Sequence, residues 1–391
     1  MNKIEKLIQE YCPDGVEYKE LGSICIIKTG KGITKKDGSD DALYPIISGG
    51  KELMGYYHEY NRLERTVTIS RVGANAGYVN YINSKFYLND KCFSIIPKEA
   101  FKDLINTKYL FYSLKRMESK IIELQSEGGV PTINIRKVSN INISLPSLLT
   151  QNKIVNILDK FIHLEEEMNV ELDARRKQYD FYLNQLMGFE DSEVEWKTLG
   201  EVGEFIRGNG LQKKDFTETG VGCIHYGQIY THYGISAVET KSFVSPELAY
   251  KLKKAQMGDL IIAITSENID DVCKSVVWLG EDEIAIGGHS TIFRHKENPK
   301  FIAYYFQTRA FYAEKIKYAR GTKVIEIKPL DLEKIVIPIP PLSEQERIVS
   351  ILDKFDALVN DSKISIQAEI EARHKQYAYY RNKLLTFGEY A

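Results

Sequence analysis

The segment IVNILDKF at residues 154–161 returns as IVSILDKF at residues 348–355. The two copies are offset by 194 residues and differ at one position, Asn156 against Ser350. So close a match inside one chain indicates a duplicated unit rather than a coincidence. The sequence around each copy therefore decides how this chain of 391 residues is organised.

The match extends on both sides of the quoted segment. The other matching pairs are EYKELG at 17–22 with EWKTLG at 195–200, GKGITKKD at 30–37 with GNGLQKKD at 208–215, and DARRKQY at 173–179 with EARHKQY at 371–377. Because the shared blocks keep their order, we predict one unit of about 200 residues that occurs twice.

Two bodies of different sequence lie between the shared blocks. Both contain short runs of β-branched and aromatic residues broken by Gly, Asn and Asp, a pattern typical of strands joined by exposed turns. Each body also contains one stretch with helical spacing, at 106–124 and at 298–318. We therefore expect two mixed α/β domains.

A proline-containing segment in each copy leads into a long helical pattern. The apolar residues that recur at helical spacing are Ile154, Phe161, Leu164 and Met168 in the first copy, and Ile348, Phe355 and Leu358 in the second. Ser343, three residues before Glu346, predicts a capping box that starts the second helix. The first copy has no such signal. Helices of about 38 and 43 residues would be about 57 and 64 Å long, which favours packing on each other as a coiled coil.

The two ends of the chain resemble the connection between the copies. This connection, NQLMGFEDSEVEW, spans residues 184–196; residues 382–391 resemble its beginning, and residues 6–18 resemble its remainder. If the two ends meet, the chain closes into a ring with two-fold pseudo-symmetry.

Composition narrows the class of protein. No run of 18 apolar residues predicts a membrane helix, and five scattered cysteines without C-x-x-C spacing indicate reduced thiols in a cytoplasm. The net charge is −2, yet residues 16–145 hold 19 Lys and Arg against 14 Asp and Glu. A local basic face for nucleic acid is therefore possible.

Catalytic motifs are not recognisable in the sequence. It contains neither a G-x-x-x-x-G-K-[ST] phosphate loop nor the Asn/Asp-Pro-Pro-Tyr/Phe motif with which adenine methylases grip a flipped base. Histidines at 225, 232, 289 and 295 lack the Cys or acidic spacing of a metal site. We predict no catalytic residue, no metal and no cofactor in this chain.

Binding chemistry is more evident. The candidate DNA-binding residues are Lys28, Lys31, Lys35, Lys36, Arg207, Lys213 and Lys214 around the repeated glycines, Arg71 and Asn75 in the first body, and His225, Tyr226, Gln228, Tyr230 and His232 in the second. Glycines let a backbone approach phosphate, lysines neutralise it, and Arg and Asn suit guanine and adenine edges. The alternatives are a solvated charged turn for the lysines and an alternating, half-buried strand for residues 225–233.

Taken together, these segments resemble the DNA-specificity subunit of type I restriction–modification systems over the full length of the chain. The motifs that carry the resemblance are PIPPLSEQERIVSILDKF at 338–355, LPSLLTQNKIVNILDKF at 145–161, the ARRKQY and ARHKQY segments, and body stretches such as TISRVGANAGYV and CIHYGQIYTHYG.

The resemblance implies an α+β protein with two target-recognition domains, each reading one half of a bipartite double-stranded DNA site. Two long antiparallel helices would separate the domains and dock two modification subunits, which carry the S-adenosylmethionine chemistry. Restriction subunits with ATP and Mg²⁺ would join the complex. The expected segments are an N-terminal segment closing the circular repeat (1–15), target-recognition domain 1 (16–145), spacer helix 1 (146–190), target-recognition domain 2 (191–340) and spacer helix 2 (341–391).

Two other classes stay open at this point. One is an enzyme, namely a fused methylase or nuclease, which the missing motifs disfavour. The other is a non-enzymatic adapter that binds RNA or protein through the same loops. The resemblance favours a specificity subunit that is not itself an enzyme.

Overall fold

The computed structural model describes residues 10–126, 129–190, 194–360 and 366–388. The chain divides into two compact units, Met1–Glu167 with Ile370–Ala391, and Met168–Glu369. Each unit contains one α/β body together with part of the long helices.

The first unit is built on a four-stranded antiparallel sheet and a smaller three-stranded sheet. Its strands are β1 (Tyr18–Glu20), β2 (Cys25–Thr29), β3 (Tyr44–Ile47), β4 (Tyr56–Tyr57), β5 (Thr66–Ser70), β6 (Val79–Ile82), β7 (Tyr87–Leu88), β8 (Cys92–Pro97) and β9 (Asn142–Ser144). The sheet orders are β2-β8-β5-β6 and β4-β3-β7, and β1 pairs with β9. The central strand β5 is buried at every position, which explains its β-branched sequence TVTIS.

Short helices cover the sheets of the first unit. They are α1 (Leu21–Ile24), α2 (Thr107–Arg116), α3 (Glu118–Ile122) and α4 (Ile135–Ser139). Helix α2 begins where the Asn106 side chain accepts hydrogen bonds from the backbone N–H groups of Lys108 and Tyr109. The helix predicted over 106–124 is therefore confirmed, although it is interrupted at Met117.

The second unit repeats this plan. Its strands are β10 (Glu195–Thr198), β11 (Gly203–Arg207), β12 (Val221–Ile224), β13 (Ser236–Ala237), β14 (Ser242–Val244), β15 (Lys254–Ala255), β16 (Leu260–Ala263), β17 (Thr265–Ser266), β18 (Ser275–Trp278), β19 (Ile284–Ile286), β20 (Ser290–His295), β21 (Ile325–Glu326) and β22 (Val336–Ile339). The sheet orders are β11-β20-β16-β18-β13 and β14-β12-β19-β15, with β10 paired to β22 and β17 to β21. Thus β11-β20-β16-β18 corresponds strand for strand to β2-β8-β5-β6.

The described part of the second unit has six short helices, two more than that of the first. They are α6 (Leu199–Val202), α7 (Tyr226–Thr231), α8 (Pro246–Lys251), α9 (Pro299–Tyr305), α10 (Arg309–Lys315) and α11 (Pro329–Leu332). The helix predicted over 298–318 is present as α9 and α10, interrupted between Tyr305 and Arg309. Two bodies with dissimilar sequences therefore share one frame.

Three long helices connect these elements. They are α5 (Leu148–Leu186), α12 (Leu342–Asn360) and α13 (Ile366–Leu384). Residues 361–365, within the predicted second spacer helix, lie outside the described residues. Within the first unit, Phe161 of α5 lies 5.5 Å from Tyr380 of α13 between ring centroids, and within the second unit Tyr182 of α5 stacks on Phe355 of α12 at 5.1 Å.

The starts of the long helices differ from the prediction. Helix α12 begins at Leu342, so Ser343 lies inside its first turn and the predicted capping box is wrong. The N–H groups of Glu344 and Gln345 bond instead to the carbonyl of Pro341. In the first copy Ser147 caps the helix, because its hydroxyl accepts from Thr150 N at 3.3 Å.

The predicted apolar stripe is only partly correct. Ile154 and Ile348 are fully buried, whereas Leu358 is 46% exposed and its neighbour Val359 is buried instead. Leu158 and Leu352 are also fully buried. The buried face of α12 is therefore rotated from the one that the sequence pattern predicts.

A buried glutamine joins each body to its long helix in the same way. In the first unit, Gln151 accepts a hydrogen bond from Asn106 N at 2.8 Å and donates one to Pro146 O at 2.8 Å. In the second unit, Gln345 accepts from Asn298 N at 2.9 Å and donates to Pro340 O at 2.8 Å. Both glutamines are 0% exposed. We call each arrangement a glutamine joint.

An ion pair and a tyrosine complete each joint. Lys108 and Tyr112 of α2 donate to the Asp159 carboxylate, just as Lys300 and Tyr304 of α9 donate to that of Asp353. The repetition of these five partners confirms the duplication at the level of side chains, although the remaining bond of Gln151 goes to Leu104 O and that of Gln345 to the Glu297 carboxylate.

The two ends of the described chain meet within the first unit. The backbone N–H of Val16 donates to Gly388 O at 2.9 Å, and the Tyr18 hydroxyl donates to Phe387 O at 3.1 Å. Val16, Leu384 and Phe387 share one buried cluster with Ile154. Residues 1–9 of the predicted closing segment lie outside the described residues.

Because His295 is largely buried, we expect the second unit to lose stability at acidic pH. Burial lowers the pKa of its imidazole to about 4, against 6.5 for a free histidine. The unfolded state therefore binds a proton at a higher pH than the folded state does, so stability falls as the pH drops from about 6.5 to about 4. We expect His295→Phe to remove about 1–2 kcal/mol of this loss at pH 5. Denaturant titrations of both proteins at pH 7 and pH 5 test this; an unchanged pH dependence would refute it.

Four of the five cysteines are buried, and none is in a disulfide. Burial raises the pKa of the Cys25, Cys223 and Cys273 thiols to about 12, so these groups are unreactive. In the described part of the chain, no helix is both long enough and apolar enough to cross a membrane.

Candidate nucleic-acid interface

Three loops of the first body converge on the turn that joins β7 to β8. Lys31 N donates to Leu88 O at 3.0 Å, and Arg71 N donates to Lys91 O at 2.7 Å. The Asn89 side chain donates to Ile33 O at 2.8 Å, and its backbone N–H bonds to Ile47 O at 2.9 Å. The loops that follow β2, β3 and β5 are therefore fixed to one turn at one end of the sheets.

Glycine is required where the basic loop meets this turn. A Cβ atom on Gly30 would lie 1.9 Å from Leu88 O, and one on Gly208 would lie 2.2 Å from Gly287 O in the second body. No side chain fits at either place. The lysine-bearing loops are therefore held against the sheet by backbone contact.

Both basic loops form the same short 3₁₀ turn. Lys35 and Lys36 lie in the turn Lys35–Asp37, and Lys213 and Lys214 lie in the turn Lys213–Asp215. In the first, the Asp37 carboxylate accepts from Thr34 N at 2.7 Å, which lowers the pKa of Asp37. All four lysines are exposed. Two ammonium groups are thus presented on a capped turn in each body.

The remaining candidates of the first body lie near these loops. Lys28 and Lys31 are exposed, and Asn75 is half-buried in the turn before β6. The Arg71 guanidinium donates one hydrogen bond to Asp90 O at 3.2 Å and lies 5.8 Å from the Phe93 ring centroid. One edge of Arg71 is therefore anchored.

Two further lysines belong to this surface, although the sequence analysis missed them. Lys91 is exposed in the central turn, and Lys51 follows β3 with its Nζ 5.8 Å from the Tyr78 ring centroid. Neither residue has a counterpart in the repeated motif. Only the pairing of strands from distant parts of the chain reveals them.

The second body has a corresponding point of convergence. Gly208 N donates to Ser290 O at 3.0 Å, and Ile264 N donates to His289 O at 2.9 Å. The His289 ring lies 3.0 Å from the Thr265 hydroxyl (Nδ1 to Oγ1) and 4.9 Å from the Tyr226 ring centroid. His289 therefore occupies the place of Lys91, so an imidazole ring stands where the first surface has an ammonium group.

Residues 226–231 form helix α7, so the alternating-strand interpretation is wrong. His225 is the N-cap; its Nδ1 accepts from Gly227 N at 3.2 Å, and its N–H donates to the Gln228 side chain at 3.0 Å. Burial, with smaller contributions from Lys213 and His289, lowers the pKa of His225. A neutral ring is what an accepting Nδ1 requires.

Several candidates in the second body are committed to internal bonds. Gln228 also donates to the Ser242 hydroxyl at 2.7 Å, and the Tyr230 hydroxyl donates to Thr265 O at 2.6 Å. Arg207 forms an ion pair with Glu326 at 2.9 Å. Of the other candidates in the second body, His232 is exposed and Tyr226 is half-buried. Gln228 and Tyr230 therefore support the fold, and their polar atoms are occupied.

The residues predicted for spacer packing and partner docking differ in how deeply they are buried. Ile154 and Ile348 are buried inside their own units, so they cannot themselves touch a partner. Leu164 and Met168 are half-buried, Phe161 and Phe355 contact tyrosines of the neighbouring helix, and Leu358 is exposed. Within the described ranges, no group of three or more His, Cys, Asp or Glu residues could hold a metal ion.

Comparison with known proteins identifies the family. The model of the type I restriction modification DNA specificity domain matches twice, at residues 13–174 and 191–372. The specificity subunit of the type I restriction enzyme EcoR124I/EcoR124II from Escherichia coli is 30% identical over 99% of this chain and 97% of its own length. The MjaVIII specificity subunit from Methanocaldococcus jannaschii is 26% identical over 96% of this chain and 93% of its own.

A solved structure shows the same fold. The crystal structure of the type I restriction-modification system S subunit from M. genitalium aligns with a TM-score of 0.60 and 17% sequence identity, covering 95% of this chain and 96% of that one. The duplicated frame, the paired basic loops and the two family matches coincide along the chain. The chain therefore belongs to the DNA specificity subunits of type I restriction–modification systems, the non-catalytic components that recognise DNA.

Proposed function

We propose that each body reads one half of an asymmetric bipartite site in double-stranded DNA. Residues 16–145 would be target-recognition domain 1, and residues 191–340 would be target-recognition domain 2. The observation that carries this proposal is the combination of one shared frame with two different loop surfaces. The shared order of four strands would place both surfaces on DNA in the same manner. At equivalent positions of that frame, however, one domain has Arg71 and Lys91 where the other has Ile264 and His289.

We propose that the long helices hold the two domains at a fixed separation and dock two modification subunits. The glutamine joints support the first role, since each ties a domain to its helix by buried hydrogen bonds. S-adenosylmethionine, ATP and Mg²⁺ would be bound by the modification and restriction subunits. This chain would then supply sequence choice alone.

The methylation pattern of a host tests this function. When the chain is expressed with its modification subunit, whole-genome methylation mapping should give two unlike half-sites separated by unspecified bases. Their centres should lie about one helical turn apart, roughly 34 Å, because both domains face one duplex. A continuous or palindromic motif would contradict the proposal. A two-patch footprint on duplex DNA would also exclude an adapter that binds RNA or protein.

The lysines of the basic loops should supply affinity rather than sequence choice. Replacing Lys35 and Lys36 together with Ala should weaken binding equally for matched and mismatched duplexes, because phosphates carry no sequence information. The slope of log K against log salt should fall by about 2, one for each lost phosphate contact. Binding titrations over a range of salt concentrations measure both quantities.

A matched control removes the same charge elsewhere. Lys102 lies beyond the opposite end of β8, and Lys160 lies on α5; both are exposed. The double variant Lys102→Ala, Lys160→Ala should leave the salt slope unchanged. If Lys35 and Lys36 behave like this control pair, their turn is only a solvated surface feature.

A further inference from the structure

The loop between β16 and β18 of the second domain is acidic, and it is equivalent to the loop between β5 and β6 of the first domain, which contains Arg71. Residues 71–77 follow β5, and residues 267–274 follow β16 and β17; we call them the first and second reading segments. The second contains Glu267, Asp270 and Asp271. Glu267 is exposed, and among the described residues it has no hydrogen-bond or ion-pair partner.

The other polar groups of the second reading segment are bound internally. The Asn268 amide donates to the Asp271 carboxylate at 2.6 Å and accepts from Asp271 N at 2.8 Å. Lys274 forms an ion pair with Asp271 at 2.5 Å. Asn268 and Asp271 therefore shape the segment, and Glu267 is left at its exposed end with an available carboxylate.

The far end of the segment is held in an unusual conformation. Cys273 has a φ of +69°, in the left-handed region that non-glycine residues rarely adopt, and it is 2% exposed. Its N–H donates to Ala263 O at 2.9 Å. Such a conformation persists only when surrounding contacts determine it.

Lys315 holds the backbone that leads into Cys273. It is the last residue of α10 and is 4% exposed, yet none of the described carboxylates lies within ion-pair distance of its ammonium group. Its Nζ donates instead to Asp270 O at 2.9 Å and to Val272 O at 2.7 Å, on either side of Asp271. Burying a charged amine is costly unless its hydrogen bonds are satisfied. Here the carbonyls of the reading segment satisfy two of them.

The first domain uses a neutral residue for the same purpose. Gln125, which follows α3, donates from Nε2 to Ala76 O at 2.7 Å in the first reading segment. Gly77 has a φ of +97°, and a Cβ there would approach the Ile122 backbone to 2.9 Å. In each domain, a side chain at or just after the end of a short helix, α3 or α10, therefore holds a reading segment by hydrogen bonds to its backbone carbonyls.

We propose that Glu267 is a specificity-determining residue that accepts a hydrogen bond from a cytosine amino group, and that Lys315 is the residue that positions it. The proposal rests on the proposed function, since it assumes that the second domain reads DNA. A carboxylate suits the N4 amine of cytosine, because it only accepts hydrogen bonds. Lys315 holds the second reading segment in place before DNA binds. Less conformational entropy is then lost on binding, so more of the hydrogen-bond energy at Glu267 goes into choosing between bases.

Three variants of the full chain, each expressed with the modification subunit, test the proposal by whole-genome methylation mapping. Glu267→Gln should change the preferred base at one position of one half-site from cytosine towards adenine, by about tenfold or more. Lys315→Met should broaden base choice within that same half-site. Gln125→Leu should broaden the other half-site and leave this one intact.

The outcomes separate the proposal from its alternatives. An unchanged map for Glu267→Gln, or broadening of both half-sites by Lys315→Met, would overturn it. If Lys315→Met does not fold, Lys315→Gln retains one donor, as Gln125 does, and must still broaden only the half-site that Glu267 affects. A wild-type map without two half-sites would instead refute the proposed function, before any variant is compared.

Discussion

Adding one helical turn to α5 and one to α12 should lengthen the unspecified gap of the recognised site by one or two base pairs. Duplicating residues 164–167 in α5 and 355–358 in α12 adds four residues to each helix, or about 6 Å. The residual rotation is about 40°, so the buried faces stay nearly aligned. A base-pair step is about 3.4 Å, and methylation mapping reads the new gap directly. Natural variation supports such tolerance, since Ala174 lies 13 residues after Phe161 whereas Ala372 lies 17 after Phe355.

Inserting two residues at the same positions is the matched control. It rotates the later part of each helix by about 200°. Leu172 and Leu183 of α5 are buried, and no residue between 159 and 171 is, so the rotation would turn both leucines away from their cores. We expect loss of assembly and of methylation. If four added residues leave the gap unchanged, the helices do not set the separation of the half-sites.

Gln345→Leu should strongly destabilise the second unit. The change leaves Asn298 N–H and Pro340 C=O without the partner that Gln345 provides. An unsatisfied buried polar group costs about 1–3 kcal/mol, so we expect a loss of about 2–4 kcal/mol in the free energy of unfolding of the second unit. Denaturant titration followed by hydrogen exchange assigns the loss to one unit.

A second joint variant and a surface control accompany this prediction. Gln151→Leu removes the corresponding joint and should destabilise the first unit by a similar amount. Gln185→Leu changes an exposed glutamine of α5 and should alter stability by no more than about 0.5 kcal/mol. A loss from Gln345→Leu as small as that of Gln185→Leu would show that water replaces the glutamine side chain.

The repeat made the architecture predictable from the sequence. Matching blocks such as residues 30–37 and 208–215 fold into matching elements, including the two 3₁₀ turns. The hydrogen bonds that the Asp37 and Asp215 carboxylates accept come from residues only three positions earlier. Helix α5 and the two described parts of the second spacer, α12 and α13, also follow the predicted helical spacing. These are features in which local sequence and final structure agree.

Other features depend on contacts between distant residues. Leu358 and Val359 are adjacent and both apolar, so only the packing of α12 decides which one is buried. Residues 225–233 alternate like a strand, yet the His225 cap and the bond from Gln228 to Ser242 stabilise a helix. The second reading segment carries no motif, and only the pairing of its strands shows that it is equivalent to the first.

Gly30 and Gly208 have a consequence for how such a protein can change over time. Each lets a lysine-bearing loop rest on a backbone carbonyl, Leu88 O or Gly287 O, so the position of that loop does not depend on any side chain that reads bases. The reading segments leave the frame from other strands. Mutations in them can therefore explore new target sequences while the grip on the DNA backbone is preserved, and a lineage can acquire new specificity without first losing its hold on DNA.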